Sequence, residues 1–210
     1  MNEEKMKKEF SDFCNSLYNR NLVCGVGGNV SVRLNDKVFV TPSGYSLGEI
    51  TPDAVVSVNM DCKVLNGDTP SKEIGMHLRI YKVRSDVNTV CHVHGASLIA
   101  FSTLITPGKD VLPPITPGFV YLAHPLAMLP FIMPGSEKLS EAVKEIFSSS
   151  NCGALLLQNH GLVTTGKSFQ EAINIAEEID EAVNIWLLTK GKGEVIPDDG
   201  VTDIKRLKSA

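Results

Sequence analysis

Two apolar runs near the amino terminus, NVSVRL (residues 29–34) and KVFVT (residues 37–41), are joined only through NDK (residues 35–37). Both runs place valine at alternate positions, a spacing that favours a half-buried β-strand. A parallel crossover needs a dozen or more residues, so a link this short permits only an antiparallel hairpin. The chain is therefore expected to build this part of its sheet from antiparallel strands.

The rest of the chain alternates short helices and strands. Helices are expected at residues 3–20, after the loop PSKE (residues 70–73), at ASLIAFSTL (96–104), at 136–148, and from Ser168 to about Leu188. Strands are expected at VVSVNM, KVL, DVNTVCHVHG, LAMLPFIM and ALLLQNH. LPPITPG is predicted to be an irregular turn because its prolines lack backbone donors, and the polar tail after Lys190 is predicted to be loose. Together these elements predict an α/β fold with a largely antiparallel sheet.

Length and composition narrow the class of protein. The 210 residues fit one domain over residues 1–210, since no repeat, low-complexity tract or long linker divides them. A formal net charge of −4 argues against nucleic acid or an anionic membrane as the principal partner. MNEEKMKKEF lacks the apolar core of a signal peptide, and no apolar run is long enough to span a bilayer, so a cytoplasmic protein is expected. The scattered cysteines suggest buried free thiols in a reducing compartment: Cys14, Cys24, Cys62, Cys91 and Cys152.

Two histidines one residue apart, His92 and His94, close an apolar run. At positions i and i+2 of a strand, both side chains project from the same side of the sheet, so they could share one metal ion. Two hydrogen-bonded histidines at a strand end would give the same pattern. His160 supplies a third imidazole, because it also ends an apolar run and is also followed by glycine. Three histidines without a cysteine pair are typical of a catalytic zinc site with an open position.

One carboxylate and two further histidines complete the candidates. Glu73 lies where a loop is expected to meet a helix, so its carboxylate could be directed into a site or could cap the helix. His77 lies four residues further on and could share a helix face with Glu73 as a ligand pair. Otherwise His77 and His124 are expected to be packed or hydrogen-bonded.

The glycine-rich segment GVGGNVS (residues 25–31) raises the question of a phosphate site. A dinucleotide fingerprint follows a strand and opens a helix, whereas here a helix precedes and a strand follows; GK[ST] of a P-loop is also missing. What remains is a small anion nest, in which Gly27, Gly28 and Asn29 present backbone N–H groups, with Ser43 and Gly44 as a second loop. Each segment is also explained as a plain turn.

Five segments taken in order resemble the class II aldolase/adducin family: GVGGNVSVR, VTPSGYSLGEITPD, PSKEIGMHLRIY, HVHG and LLLQNHGLVTTG. The resemblance covers nearly the whole chain and implies a three-layer α-β-α sandwich with a largely antiparallel central sheet, assembled as a homotetramer. It also implies that His92, His94 and His160 bind Zn2+ or another divalent ion such as Mn2+, Co2+ or Fe2+, and that Glu73 is the catalytic acid/base. The positions that would hold the substrate phosphate are Gly28, Asn29, Ser43, Gly44 and Ser71.

Members of this family act on small phosphorylated sugars or sugar acids through a metal-stabilised enediolate. SLGEITPD, PSKE, LPPITP and PGS resemble the branch in which a 3-oxo-tetronate 4-phosphate loses carbon dioxide to give dihydroxyacetone phosphate. Lys72 could hold a carboxylate or phosphate, and Pro117 stands where the fuculose-phosphate aldolases carry a catalytic tyrosine, unless Tyr121 replaces it. The alternatives are retro-aldol cleavage of a ketose 1-phosphate, then ribulose-phosphate 4-epimerisation, and, remotely, an adducin-like binding module without catalysis.

Overall fold

Eight strands form one sheet in residues 2–149 and 153–207, the part of the chain that the computed structural model describes. They are β1 (Asn29–Leu34), β2 (Lys37–Val40), β3 (Val56–Val58), β4 (Val64–Asn66), β5 (Thr89–Val93), β6 (Ala127–Leu129), β7 (Ala154–Leu157) and β8 (Gly161–Gly166). Their order across the sheet is β4-β3-β2-β1-β5-β8-β7-β6. The two central strands, β1 and β5, are therefore far apart in the sequence.

Antiparallel pairing dominates this sheet, as the sequence predicts. β1 and β2 form the expected hairpin, in which Leu34 pairs with Lys37 across the turn. β5 lies between β1 and β8 and is antiparallel to both, and among the described strands only β6 and β7 run parallel. Asn29 of β1 pairs with His92 of β5, so the glycine-rich segment and the histidine pair meet where the start of β1 lies beside the end of β5.

The described helices lie on both faces of the sheet. They are α1 (Glu3–Asn19), α2 (Ile74–Val83), α3 (Ala96–Leu104), α4 (Pro117–Leu122), α5 (Glu137–Ser149), α6 (Phe169–Leu188) and α7 (Asp198–Leu207). One core contains residues of α1, α3, α4 and α6, and a second contains residues of α2 and α5. β2 divides between them by alternation, since Phe39 joins the first core while Val38 and Val40 join the second. The expected three-layer α-β-α sandwich is confirmed.

Side-chain caps mark the start of the two longest helices. α1 begins after Asn2, whose Oδ1 accepts the backbone N–H of Lys5 at 2.9 Å. α6 begins after Ser168, whose Oγ accepts the N–H of Glu171 at 3.2 Å. A cap of this kind stabilises a helix by about 1 kcal/mol. The helices predicted at residues 3–20 and 168–188 agree with α1 and α6 to within one residue.

The proline-rich segments differ from the prediction. α4 begins at Pro117 inside the predicted irregular turn, because proline is tolerated at the first helical position and Thr116 Oγ1 accepts the N–H of Phe119 at 3.3 Å. The strand predicted over LAMLPFIM is too long, since β6 covers only Ala127–Leu129. Pro130 follows at once and has no N–H to donate to a ladder.

The carboxyl-terminal part contains two elements that the sequence does not predict. β7 ends at Leu157, and the chain turns through residues 158–160 into β8, so the strand predicted over ALLLQNH is too long and β8 is missed. α7 forms where a loose tail is predicted, and it packs against α4. The N–H of Ile196 donates to the carbonyl of Pro114 at 2.8 Å, which ties the segment before α7 to the body of the protein. No described helix is both long and apolar enough to span a membrane.

The cysteines only partly match their predicted burial. Cys14 and Cys91 are buried free thiols, as expected. Cys24 and Cys62 are also free but exposed, so the prediction is wrong for both. Both belong to turns between elements, where the chain runs over the surface. Cys152 lies outside the described residues.

Candidate metal centre and active site

His92 lies on β5, and His94 is the first residue after this strand. His92 is completely buried, and its Nδ1 lies 3.0 Å from the carbonyl oxygen of Leu162 on β8. An Nδ1–H donated to that carbonyl leaves the lone pair of Nε2 free, which is the usual arrangement of a metal-binding histidine. Nε2 of His94 lies 2.9 Å from Nε2 of His92. The two imidazoles therefore point at one place, as their spacing predicts.

His160 reaches the same place from the turn between β7 and β8, and not from the end of a strand. Its Nε2 lies 3.2 Å from Nε2 of His92. Asn159, with φ of 57°, adopts the left-handed conformation that reverses the chain, and its N–H donates to Ser102 Oγ at 2.9 Å. Gly161 follows, and a Cβ there would come within 2.3 Å of the carbonyl oxygen of Val93. Only glycine lets β8 approach β5 closely enough to bring His160 beside His92.

Glu73 immediately precedes α2, and its carboxylate is directed into this cluster. Although Glu73 occupies the N-cap position, its side chain makes no capping hydrogen bond. Instead Oε2 accepts a hydrogen bond from Asn29 Nδ2 at 2.9 Å and lies 3.3 Å from Nε2 of His92. Oε1 lies 3.4 Å from Nε2 of His160. Of the two interpretations of Glu73, the structure therefore excludes the capping carboxylate.

These four side chains fit a divalent metal ion. One ligand atom from each of Glu73, His92, His94 and His160 lies within 4.8 Å of all the others. Two nitrogens bonded to one tetrahedral zinc at 2.0–2.1 Å are about 3.3 Å apart, close to the 2.9 and 3.2 Å between these imidazole nitrogens. Three imidazoles are also the ligand set of some catalytic zinc sites, which keep the fourth position open. The cluster could therefore hold an ion while leaving room for a substrate.

The charge states of these residues favour such an ion. Burial and repulsion from His92 and His160 lower the pKa of His94 to about 3, against an opposing attraction to Glu73. Burial and His92 likewise lower the pKa of His160 to about 4. Burial acts to raise the pKa of Glu73, but the electrostatic effect of His92 and His160 and the hydrogen bond from Asn29 outweigh it, so this pKa lies below its usual range. At neutral pH His94 and His160 are thus neutral imidazoles and Glu73 is a carboxylate, the forms that bind metal.

The other two histidines lie outside the cluster. His77 is completely buried, and its Nδ1 lies 2.7 Å from Ser31 Oγ. His124 Nε2 lies 3.2 Å from Asp110 Oδ2. Neither belongs to the group of metal-donor side chains found among the described residues. The suggestion that Glu73 and His77 form a ligand pair is wrong, and the expectation that both histidines are hydrogen-bonded is confirmed.

A cavity of about 390 Å3 opens beside the cluster. It is lined by Glu73, His94 and His160 together with all six residues that the sequence suggests for substrate binding: Gly28, Asn29, Ser43, Gly44, Ser71 and Lys72. Gly28 has φ of +77°, and a Cβ there would lie 2.6 Å from Val23 Cγ1, so this turn requires glycine. The roles of the six residues remain predictions, but the structure brings them to one place.

The suggested anion nest is smaller than the sequence indicates. The N–H of Gly27 donates to the carbonyl of Cys24 at 3.0 Å, and Gly27 does not line the cavity. The N–H groups of Ser43 and Ser71 are also bonded, to the carbonyls of Thr69 and Thr41 at 2.9 and 3.0 Å. Side-chain hydroxyls are therefore the groups that these two serines can offer to a ligand.

Several lining residues lie inside segments that resemble the family but are assigned no role by the sequence. They are Val26, Pro42, Tyr45, Pro134 and Gly135. Tyr45 directly follows the Ser43-Gly44 loop and is 45% exposed, so it brings a phenol to the cavity. Pro134 and Gly135 come from the segment after β6, whose approach to Lys72 depends on tertiary packing. The proximity of Tyr45 to Ser43 and Gly44 in the sequence, and the PGS segment for Pro134 and Gly135, are the signals that could have identified them.

The sandwich and the histidine–glutamate cluster together define an α/β protein with a candidate divalent-metal site at one edge of its central sheet. The family described as Class II Aldolase and Adducin N-terminal domain matches residues 8–187. The chain belongs to this family, which confirms the resemblance carried by its five segments.

Curated relatives include proteins with two different activities. The chain is 35% identical over 195 residues to a 3-oxo-tetronate 4-phosphate decarboxylase of Haemophilus influenzae, covering 90% of this chain and 91% of the relative. It is 34% identical over 177 residues to an L-fuculose phosphate aldolase of Methanococcus maripaludis, covering 84% and 93%. Because the two sequence identities are nearly equal, they do not show which of the two reactions this chain catalyses.

Solved structures show the same fold. The crystal structure of YgbL from Escherichia coli has a TM-score of 0.91 at 28% identity and covers 97% of this chain and 99% of its own. An L-fuculose 1-phosphate aldolase has a TM-score of 0.84 at 26% identity, with coverage of 97% and 96%. The antiparallel sheet between helical layers is therefore shared with both.

Proposed function

We propose that this protein is a zinc-dependent carbon-carbon lyase that decarboxylates a 3-oxo-tetronate 4-phosphate to dihydroxyacetone phosphate. The observation that carries the proposal is the position of Lys72, which lines the same cavity as Glu73, His94 and His160. A substrate with both a phosphate and a carboxylate needs positive or N–H-rich contacts at two places. The curated decarboxylase of Haemophilus influenzae supports this substrate class by its name.

The two anionic groups of the substrate can be assigned to different parts of the cavity. Ser43, Gly44 and Ser71 offer hydroxyl and backbone groups, which suit phosphate oxygens. Lys72 is exposed and precedes Glu73 in the sequence, so its ammonium group can act as a point charge near the reacting end. We assign the phosphate to the serine-glycine side and the carboxylate to Lys72.

The reaction removes C1 as carbon dioxide and replaces it with one proton at C2. An ion bound by the three imidazoles would act as a Lewis acid on the substrate's carbonyl oxygen. Because its pKa is lowered, Glu73 enters the reaction as a carboxylate and can accept the proton of the C2 hydroxyl. Glu73 then gives that proton to C2 after carbon dioxide has left, and solvent restores the hydroxyl, so the net uptake is one proton.

Asn29 prepares Glu73 for this task. Its amide donates to Oε2 at 2.9 Å and fixes the orientation of the carboxylate, whereas Oε1 has no hydrogen-bond partner among the described residues. A buried carboxylate oxygen without a partner is unfavourable unless a ligand supplies one. Oε1 is therefore the oxygen that we assign to proton transfer.

Retro-aldol cleavage of a ketose 1-phosphate is the second candidate. Pro117 opens α4 and offers no hydroxyl, and Tyr121 of the same helix does not line the cavity. Tyr45 does line it, however, and its phenol could protonate a leaving aldehyde oxygen. This observation and the Methanococcus maripaludis relative named as an aldolase support retro-aldol cleavage as the second candidate. Epimerisation of a ribulose phosphate and a non-catalytic adducin-like role rank below it.

A substrate panel tests the proposal. Purified protein with one equivalent of Zn2+ is given both enantiomers of 3-oxo-tetronate 4-phosphate, L-fuculose 1-phosphate and a ribulose 5-phosphate, and carbon dioxide, aldehyde and dihydroxyacetone phosphate are measured. We expect carbon dioxide and dihydroxyacetone phosphate in equal amounts from a keto acid. Aldehyde from the ketose, without carbon dioxide from either keto acid, would replace the proposal with the aldolase reaction.

Two variants control this panel. Glu73→Gln cannot carry a proton and is expected to lower kcat by about 10²–10⁴-fold. Glu49→Gln removes the same charge from an exposed residue that does not line the cavity, so its kcat should match the wild type. Metal analysis of untreated protein completes the test, since a metal content near zero together with no turnover would favour the adducin-like module.

A further inference from the structure

β1 presents three polar side chains to α2 at alternate positions, while Val30 and Val32 between them enter the other core. Each polar residue is hydrogen-bonded at a different height along α2: one to Glu73 just before the helix, one to the helix itself and one to the turn that follows it. Asn29 donates to Glu73 Oε2 at 2.9 Å, Ser31 Oγ lies 2.7 Å from His77 Nδ1, and Arg33 donates to the carbonyl of Arg84 at 3.1 Å. We call this set the β1–α2 ladder; it comprises Asn29, Ser31 and Arg33 of β1 with Glu73, His77 and Tyr81.

The middle level of the ladder joins three polar side chains. Tyr81 Oη lies 3.0 Å from the carbonyl oxygen of Ser31 and 2.8 Å from Ser31 Oγ. Ser31 Oγ in turn lies 2.7 Å from His77 Nδ1. Both neutral tautomers of His77 fit this chain, because Nδ1–H can donate to Ser31 Oγ and an unprotonated Nδ1 can accept the hydroxyl proton. In either arrangement one hydrogen bond joins His77 to β1.

We propose that His77 is a positioning residue for Glu73. His77 lies four residues after Glu73, so both side chains lie on the same face of α2, one turn apart. The apolar contacts of α2 are not directional, whereas a 2.7 Å hydrogen bond allows one rotation and one height of the helix against β1. That bond holds α2 where Glu73 meets Asn29, His92 and His160. The inference rests on the proposed function only in giving Glu73 the proton transfer.

Burying the imidazole of His77 at this position is energetically unfavourable. His77 is completely buried, and its Nε2 has no hydrogen-bond partner in the part of the chain that the structure describes. An apolar side chain of similar size would avoid burying that unpaired nitrogen, so packing alone does not account for histidine here. The hydrogen bond between Nδ1 and Ser31 Oγ is the contribution that leucine could not supply.

Crystal structures of two variants test the position of Glu73 directly. His77→Asn places an amide group where Nδ1 stands and can still form a hydrogen bond with Ser31 as donor or acceptor, whereas His77→Leu cannot. We expect the Asn29–Glu73 contact of 2.9 Å to be kept in His77→Asn and lost or lengthened beyond hydrogen-bonding distance in His77→Leu. An unchanged Glu73 in His77→Leu would overturn the proposal. If His77→Leu does not fold, Ser31→Ala removes the same bond from β1 and is judged by the same contact.

Kinetics with a matched control separate positioning from general destabilisation. His77→Leu is expected to lower kcat by about 10–100-fold with KM and metal content within about threefold of the wild type, and His77→Asn should restore most of kcat. Ile80→Ala removes a buried apolar side chain from α2 and leaves the ladder intact. An equal loss of kcat in Ile80→Ala and His77→Leu at similar Tm would overturn the proposal. A wild type that is inert toward the whole substrate panel contradicts the proposed function instead, and the crystal structures still decide the role of His77.

Discussion

Lys72 distinguishes the candidate reactions at the level of a single residue. A charge-assisted hydrogen bond contributes about 1.5–3 kcal/mol, which corresponds to roughly 10–150-fold in kcat/KM. Lys72→Gln is therefore expected to lower kcat/KM by that factor for a keto acid, through the lost contact to its carboxylate. Steady-state kinetics measure the effect, and Lys63→Gln serves as the control because Lys63 is exposed and does not line the cavity. An unchanged kcat/KM would contradict the assignment of the substrate carboxylate to Lys72.

His77 also predicts how stability depends on pH. Burial and repulsion from His92 lower its pKa to about 3, although attraction to Glu73 opposes them. An unfolded histidine titrates near 6.5, so below that pH the unfolded chain binds a proton that the folded chain does not bind until about pH 3. The free energy of unfolding must therefore fall as the pH is lowered from 6.5, by about 2 kcal/mol at pH 5 from this residue alone.

Urea unfolding of the metal-free protein at pH 7 and pH 5 measures this effect. The wild type should lose about 2 kcal/mol more than His77→Asn, which has no imidazole at this position. Equal losses would mean that His77 is protonated in the folded state at pH 5.

The turn between β7 and β8 carries a prediction at the level of an element. A β-branched side chain in the left-handed conformation of Asn159 costs about 1–2 kcal/mol, whereas glycine does not. Asn159→Val should lower the free energy of unfolding by that amount and also reduce metal binding, because His160 is the next residue. Asn35 has φ of 55° in the β1–β2 hairpin, so Asn35→Val should destabilise similarly but leave metal binding intact. Urea titration and a chelator competition measure the two quantities, and full metal affinity in Asn159→Val would contradict the prediction.

Elements with a strong local pattern could be predicted from the sequence. α1 and α6 combine helical spacing of apolar residues with a polar residue at the cap, and the β1–β2 link is too short for any other pairing. α4 and β8 could not, because each depends on context. α4 begins at a proline, a residue that usually ends helices. β8 is separated from β7 by only three turn residues, so the sequence pattern did not show where one strand ends and the next begins. α7 has a polar composition and is held by packing against α4, which no local pattern shows.

The candidate site, like the elements, was predicted only in part from the sequence. The residue types and spacing of His92, His94 and His160 indicated a metal site, and the resemblance to the family added Glu73 to it. Their separations could not be predicted, because they depend on three elements meeting at the β1–β5 pair. The ladder below Glu73 was equally hidden, since it joins residues more than 40 positions apart by single hydrogen bonds. The single domain over residues 1–210 and the cytoplasmic location stay predictions.

The homotetramer expected from the family can also be tested on the whole molecule. Phe131 is 55% exposed and Met133 is 68% exposed, both in the segment that leads to Pro134 and Gly135 of the cavity. Exposed apolar side chains beside a site are typical of a subunit contact. We expect the wild type to sediment at four times the 22.8 kDa of one chain, and Phe131→Glu with Met133→Glu to sediment at a smaller mass. A monomeric wild type in sedimentation velocity at micromolar concentration would contradict this expectation.

Proton delivery by Glu73 to the carbon that loses carbon dioxide is the central claim, and turnover in D2O tests it most directly. The substrate is a 3-oxo-tetronate 4-phosphate, and the dihydroxyacetone phosphate formed is examined by NMR. A single carboxylate on one side of the substrate predicts one deuterium on the hydroxymethyl carbon in a single configuration, and Glu73→Gln should form almost no product. Product with deuterium equally distributed between both configurations, or product formed as fast by Glu73→Gln, would contradict the account.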